Sequence, residues 1–379
     1  MIILMSFTMC GCWDSIETEN LGIVTIMGID TDSNNGIRVI TQEIAGNRGS
    51  VSGGDKTPFH VYSESGATIS EAIQKISVSQ HQRVYFGHIK MIVLSEELVS
   101  NKGIMPVMDF FERSPKIRPT ARILISERRQ LDKVLTTDME FNKDTGTIIE
   151  DSIKNKENLS HYIVNNLEEF IELLDTMGRE PYTSGISIEP KRLKSEAGTS
   201  KTTGKNVFNT DNTAIFKRDK MVGWFNGNES RGIAWVKGEL RQNYMNIPFE
   251  DGNLAIKILK TKTHIQPVLD NGNINININI KIESNLAESQ INTDFMHKSE
   301  EIQSIQEERI KEEVVAAFEK SKSLKSDVFG FGNYINMSYP KLWSKIQNNW
   351  YSYYTHLKLN ISVDSIIRNI ETNYKITGG

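Results

Sequence analysis

Cysteine is almost missing from this chain of 379 residues: Cys10 and Cys12 occur, and none follows. That inventory excludes a disulfide framework, a thiolate metal site and a cysteine nucleophile anywhere in the body of the protein. Long apolar runs are missing too. Past residue 12 no stretch approaches the roughly 18 residues that a membrane-crossing helix needs, so any hold on a membrane must come from the N-terminus. Nor does charge of one sign dominate. The 44 Lys and Arg against 48 Asp and Glu leave a net charge of -4, which gives no electrostatic pull toward nucleic acid or anionic lipid.

Catalytic signatures are scarce as well. The seven histidines, at positions 60, 81, 88, 161, 264, 297 and 356, never fall at the i, i+2 or i, i+4 spacing of a local metal-ligand pair. Gly330-Phe331-Gly332 lacks the third glycine of a dinucleotide fingerprint, and Gly204-Lys205 is followed by Asn206 where a phosphate loop needs Ser or Thr. No G-x-S-x-G elbow occurs. Paired acids such as Glu312-Glu313 fall on an expected helix, where a solvated face is the plain reading. The expectation is a binding or scaffold protein with no cofactor, no metal and no catalytic residues.

What is present starts at the first residue. Met1 to Met9 is an apolar stretch that gives way to Gly11-Cys12, the order of a short hydrophobic region before a lipoprotein cleavage site. A peptidase that cuts ahead of a lipidated cysteine needs a small residue there, which Gly11 supplies, and the Cys12 thiol then carries a diacylglyceryl group. Residues 1–11 are read as the signal and Cys12 as the lipid anchor. No Lys or Arg precedes the apolar run, and its β-branched and aromatic content also permits a buried strand.

Periodicity organises the rest. Leu21–Ile29 and Ile37–Ile44 are apolar, β-branched runs joined by a loop ending Asn35-Gly36, a hairpin signal. Residues 45–57, rich in Gly and Ser, read as a loop. Phe59–Ser65 reads as a strand, Thr68–Ser79 as a helix with Ile69, Ile73 and Ile76 on one face, and Val84–Leu94 and Arg118–Ser126 as strands. Ser95 before Glu96-Glu97 marks a helix start, and Asn165–Met177, ending at Gly178, is an amphipathic helix. Residues 189–206 lose nearly all large apolar side chains, which marks a linker between an N-terminal region, 12–188, and a C-terminal region, 207–379. Beyond it, Val207–Gln266 shows several strand-like runs. Ile274–Ile282 alternates Ile with polar residues in strict period two, a half-buried strand with a solvated asparagine face. Ser299–Lys320 is a helix. Pro340 suits a first helical turn, with Trp343, Ile346 and Trp350 behind it as a core stripe, and Leu357–Ile370 closes as a strand. The fold class is mixed α/β or α+β: several sheet-plus-helix units, the last with an antiparallel sheet and flanking helices.

Four segments taken in order resemble the spore-germination lipoproteins, the C subunits of nutrient germinant receptors. They are Gly11-Cys12-Trp13-Asp14 with the strand after it; Gly87-His88 through Lys90 with Arg113 to Arg118 downstream; Ala214 to Trp224 with Glu229, Gly232, Trp235 and Gly238; and Ser326 to Gly332 running through Tyr339-Pro340, Trp343 and Trp350. The resemblance implies a lipid-anchored protein on the extracytoplasmic face of the spore inner membrane or cell membrane. It also implies integral membrane A and B subunits as partners, with this chain serving assembly or signalling. His88, Lys90, Arg113 and Arg118 are its candidate partner contacts, His88 and Lys90 sharing one face of an expected strand, although hydrogen-bonded structural roles are the plainer reading of each. A solute-binding lipoprotein that captures a small molecule between domains is the alternative.

Overall fold

The computed structural model describes residues 21–44, 59–80, 83–114, 116–137, 144–157, 163–194, 200–240, 242–270, 272–291 and 297–370. Cys12, the expected signal and the Gly- and Ser-rich stretch at 45–57 lie outside them.

Strands β1 (Leu21–Thr31) and β2 (Ile37–Ile44) form the expected hairpin. Asn35 takes the left-handed conformation, φ 61, within the five-residue loop Asp32–Gly36. β3 (Phe59–Gly66) adds to β2, and the Thr68 hydroxyl caps α1 (Ile69–Ser79) by accepting from the Glu71 amide at 3.1 Å. The strand expected over 84–94 is broken in two. β4 (Arg83–Tyr85) and β5 (Met91–Ser95) both lie parallel to β1, at Leu21–Ile23 and Ile26–Ile29 respectively, with a turn between them. Ile89 is buried within that turn, so the apolar run continues through a break that the backbone makes.

Next come α2 (Glu96–Asn101), α3 (Met105–Glu112), β6 (Arg122–Ser126), α4 (Leu131–Thr136), α5 (Thr145–Glu157), α6 (Leu167–Asp175) and β7 (Tyr182–Lys194). Ser95 caps α2 and Asn166 caps α6, the latter in a reciprocal box with Glu169. β1, β5, β6 and β7 run parallel at the centre of the sheet. Parallel strands are covered on both faces, and β5 is buried along its whole length: Ile92 and Leu94 meet α1, α2, α3 and α6, while Met91 and Val93 meet α4 and α5.

Within the expected linker, residues 189–194 and 200–206 belong to paired strands. β7 pairs antiparallel with β8 (Ser200–Asn209) from Ser187↔Asn209 to Lys194↔Ser200. Polar composition cannot tell a linker from a two-stranded ribbon whose ladder is made by backbone groups. The first sheet also continues past the expected boundary, because β9 (Thr213–Lys217) pairs with β7 and β10 (Lys220–Phe225) with β9. The order is β10-β9-β7-β6-β5-β1-β2-β3, with β4 beside β1 and β8 beside β7.

α7 (Gly227–Lys237) follows where only strands were expected. A second sheet holds β11 (Tyr244–Phe249), β12 (Gly252–Asp270), β13 (Asn273–Ser289) and β14 (Lys358–Ile370) in that order. α8 (Ser299–Leu324), α9 (Phe331–Ser338), α10 (Pro340–Ile346) and α11 (Trp350–His356) come between β13 and β14. The expectation of an antiparallel sheet needs one correction: β14 lies parallel to β13, since the intervening helices carry the chain back to the starting end of β13, as a parallel crossover must. Ile276, Ile278, Ile280 and Ile282 are buried against the helices, as the alternating pattern requires. Trp343, Ile346 and Trp350 are core. The two indoles meet edge to face with centroids 5.3 Å apart.

Candidate functional site

The candidate contact residues scatter. His88 is exposed in the turn between β4 and β5, its ring edge-on to Tyr85 at 5.6 Å between centroids. Lys90, half-buried at the end of that turn, donates to the Thr147 hydroxyl and lies 3.6 Å from the Glu150 carboxylate. The two therefore do not share a strand face, because both lie in the turn between β4 and β5. Arg113 is exposed and pairs with Asp109 at 2.8 Å, one helical turn back, on the rim of an apolar cavity of about 490 Å³ lined by Ile37, Ile69, Leu98, Val107 and Phe110. Arg118 is exposed on the loop before β6.

A dense polar constellation lies instead where the two sheets join. Asp327 is fully buried between α8 and α9. One carboxylate oxygen accepts from the amides of Gly330 at 2.9 Å and Phe331 at 3.0 Å; the other accepts from the Gly332 amide at 2.8 Å and the Trp350 indole at 3.1 Å. The side chain thus supplies the acceptors that the start of α9 lacks. Its backbone carbonyl accepts from the Glu180 amide at 3.0 Å, tying the loop before β7 to the loop before α9. Gly178 seals the same joint. Its φ is +73, and a side-chain carbon there would stand 2.5 Å from the Gly332 carbonyl carbon, so only glycine fits. Asn333 donates to the Gly178 carbonyl at 3.0 Å.

Glu180 extends the network. It accepts from the Tyr351 hydroxyl at 2.5 Å and from the Arg218 amide, and the Lys217 ammonium sits 4.2 Å above the Tyr351 ring. Burial pushes the Glu180 carboxyl up, with the Tyr351 bond opposing. Burial also lifts Asp327 to about 7, against the N–H donors that favour its ionised form. Lys237, at the end of α7, donates to the Phe329 carbonyl at 3.0 Å and is lowered by burial to about 7. A third buried acid, Glu313 of α8, accepts from the Trp235 indole at 2.9 Å and from Arg231, locking α7 onto α8. Gly232 lets these helices close, since a side chain there would reach to 2.5 Å from the Glu313 carbonyl oxygen. Chemically this is a rigid coupling between two sheets. Its polar groups spend their hydrogen bonds on one another.

Comparison with known proteins assigns both halves. Residues 14–188 match the family described as the spore germination protein N-terminal domain, and residues 211–371 match the one described as spore germination B3/GerAC like, C-terminal. The chain belongs to the Ger(x)C family of spore germination proteins. It is 24% identical to spore germination protein KC of Bacillus subtilis, the alignment covering 97% of this chain and 94% of that one. It is likewise 24% identical to spore germination protein B3 of the same organism, over 98% of this chain and 97% of the relative. The crystal structure of the GerBC protein shares the fold, with a TM-score of 0.55 and 19% identity over 90% of this chain and 97% of that one.

The Ger(x)C family is not a known enzyme family. Among the described residues no group of three His, Cys, Asp or Glu side chains is placed to hold a metal ion, and no helix is long and apolar enough to cross a membrane. Asp327 lies in the stretch Ser326 to Gly332, where neither periodicity nor motif gives it a role. The available signal was an acid three to five residues before a glycine-rich turn, whose free amides need an acceptor. Glu180 and Lys237 carried no comparable signal, because each meets partners from distant segments.

Proposed function

We propose that this chain is the lipid-anchored, extracytoplasmic subunit of a spore nutrient germinant receptor, held by a diacylglyceryl group on Cys12 and working in assembly or signalling beside integral membrane subunits. The observation that carries the reading is the order along the chain: Gly11-Cys12 stands immediately ahead of the first of two germination-family matches, which together take in residues 14–188 and 211–371. The body adds a rigid joint between two sheets, suited to a part that holds or relays a position rather than one that turns over a substrate. Against solute capture stands the filling of that joint by backbone contacts between Gly178 and Gly332. The cavity beside it, about 410 Å³ and lined by Arg122, Asn165, Glu169, Arg179 and Glu239, is bordered mostly by groups that already have partners.

The test is isolation of the native protein from spore membranes, mass spectrometry of its N-terminus and identification of what purifies with it. A thioether-linked diacylglyceryl Cys12 and integral membrane companions are expected. An unmodified Cys12 with Met1–Gly11 still attached would overturn the anchoring, and recovery without membrane subunits would overturn the receptor role.

A further inference from the structure

One corner of the first sheet brings the ends of several elements together. β1 begins there, with Leu21 opposite Arg83, Gly22 opposite Val84 and Ile23 opposite Tyr85. The end of β2 and the end of α1 meet over the same point, where the Gln80 amide donates to the Glu43 carboxylate at 2.9 Å above Gly22. Large apolar side chains stand out from this corner: Val78 is 80% exposed, Ile44 41% and Tyr85 38%. Scattered exposed apolar residues are ordinary, but here three stand at strand and helix ends that meet at one rim, Val78 on the outer side of α1 and Ile44 and Tyr85 on the opposite side of the sheet.

The corner's own segments carry cations at their exposed positions, with the acids of α5 set against Lys90, where Glu150 lies 3.6 Å away. Arg83, His60 and His88 are exposed. Among the described residues of the segments that build the corner, 21–24, 42–44, 59–61, 76–80 and 83–90, the single carboxylate is Glu43, and it is buried. Farther along the same rim, two strands away, Lys116 and Arg118 are exposed opposite Glu168 at the start of α6. An apolar tip with an aromatic ring and a cation beside it is the arrangement that suits a lipid headgroup layer, where rings sit at the interface and cations meet phosphates.

Covalent reach selects the occupant. Nine peptide steps separate Cys12 from Leu21, at most about 30 Å when fully extended, so a lipid on Cys12 keeps this corner near the bilayer whatever path the chain takes. We propose that the corner formed by Val78, Ile44, Tyr85 and Arg83 is the face by which the protein rests on the membrane. This rests on the reading that Cys12 is lipidated, and it adds an orientation that lipidation alone does not dictate.

The experiment uses the mature lipidated chain on vesicles of phosphatidylglycerol and phosphatidylcholine. Signal cleavage removes Cys10 and acylation blocks Cys12, so Val78→Cys or Ile366→Cys takes a single fluorescent label; Ile366, 54% exposed on β14, is the control. Nitroxide-bearing lipids should quench the label at 78 at least threefold more than the label at 366. Equal, weak quenching while the protein still floats with the vesicles would overturn the orientation and leave the anchor standing; the exposed corner would then belong to a partner subunit. Failure of the protein to float would remove both readings. As a second measure, Val78→Asp with Ile44→Asp should leave the thermal midpoint unchanged, because both side chains are exposed, and should abolish the difference in quenching between Tyr85→Cys and Ile366→Cys labels. Persistence of that difference would count against the proposal.

Discussion

Gly178 and Gly332 touch backbone to backbone, one from the loop ahead of β7 and the other from the first turn of α9. A methyl group at position 178 meets both a left-handed φ of +73 and a carbonyl carbon 2.5 Å away. Gly178→Ala is expected to cost roughly 2–4 kcal/mol, the sum of a strained backbone and overpacking. Urea unfolding followed by tryptophan fluorescence measures it. A midpoint equal to wild type would mean that the two loops can separate without consequence.

Asp327 gives a pH dependence with a definite sign. Its ordinary carboxyl value is 3.8 and its folded value about 7, so across that window the folded chain holds a proton that the unfolded chain has released. Stability then falls as pH rises from about 4 to about 7. Lys237 acts in reverse: its value drops from 10.5 to about 7, the unfolded chain holds the extra proton above pH 7, and stability rises again toward pH 10. The thermal midpoint should pass through a minimum near neutrality, and Asp327→Asn should flatten the acid side while lowering the whole curve. An acid limb equally steep in wild type and variant would assign it to Glu43, Glu127 and Glu180, whose carboxyls burial also raises.

The tryptophan stripe separates packing from contact. Trp343→Ala and Trp350→Ala should each cost about 3–5 kcal/mol by loss of a buried aromatic, the second more, because it also removes an indole donor from Asp327. Trp350→Phe keeps most of the volume and isolates that hydrogen bond. Calorimetry of the three variants ranks them, and retention of wild-type stability together with lost germination would show the rings to be a contact surface.

Anchoring and folding should be separable. A chain beginning at Trp13 is expected to be soluble and to melt at the temperature of the intact protein, since the described core is built from residues between Val24 and Val363. Cys12→Ala should block acylation and signal processing and reduce germination through the receptor that contains this subunit. Flotation on a sucrose gradient and N-terminal mass spectrometry read the two effects independently. A large loss of stability on truncation would mean that residues 1–12 form part of a core.

How much of this was legible depended on whether one segment carried its own evidence. The β1–β2 hairpin, α1, α6, α8 and the alternating Ile strand each repeat a residue type at the period of their own geometry, and all stand where expected. α7 escaped because it is buried on nearly every side: Ser230, Gly232, Ile233, Ala234, Trp235 and Val236 are all covered, which erases the stripe that marks a surface helix. Its readable sign was the reciprocal cap of Asn226 with Glu229. The break after β4 was hidden by a buried isoleucine in the turn, and the joint at Asp327 by partners contributed from α9, α11 and the loop before β7.

The parallel pairing of β13 with β14 bears on the order in which the molecule can be finished. Asn360 and Asn277, hydrogen-bonded across the ladder at 2.8 Å, are 83 positions apart, and β14 runs to residue 370. The last strand of the second sheet therefore cannot dock until all of α8 to α11 has been synthesised, and non-local pairing of this kind is slow to find. The second sheet is therefore completed later than the first, whose last strand, β10, ends at Phe225, so the N-terminal sheet has all its strands while the C-terminal one still lacks an edge.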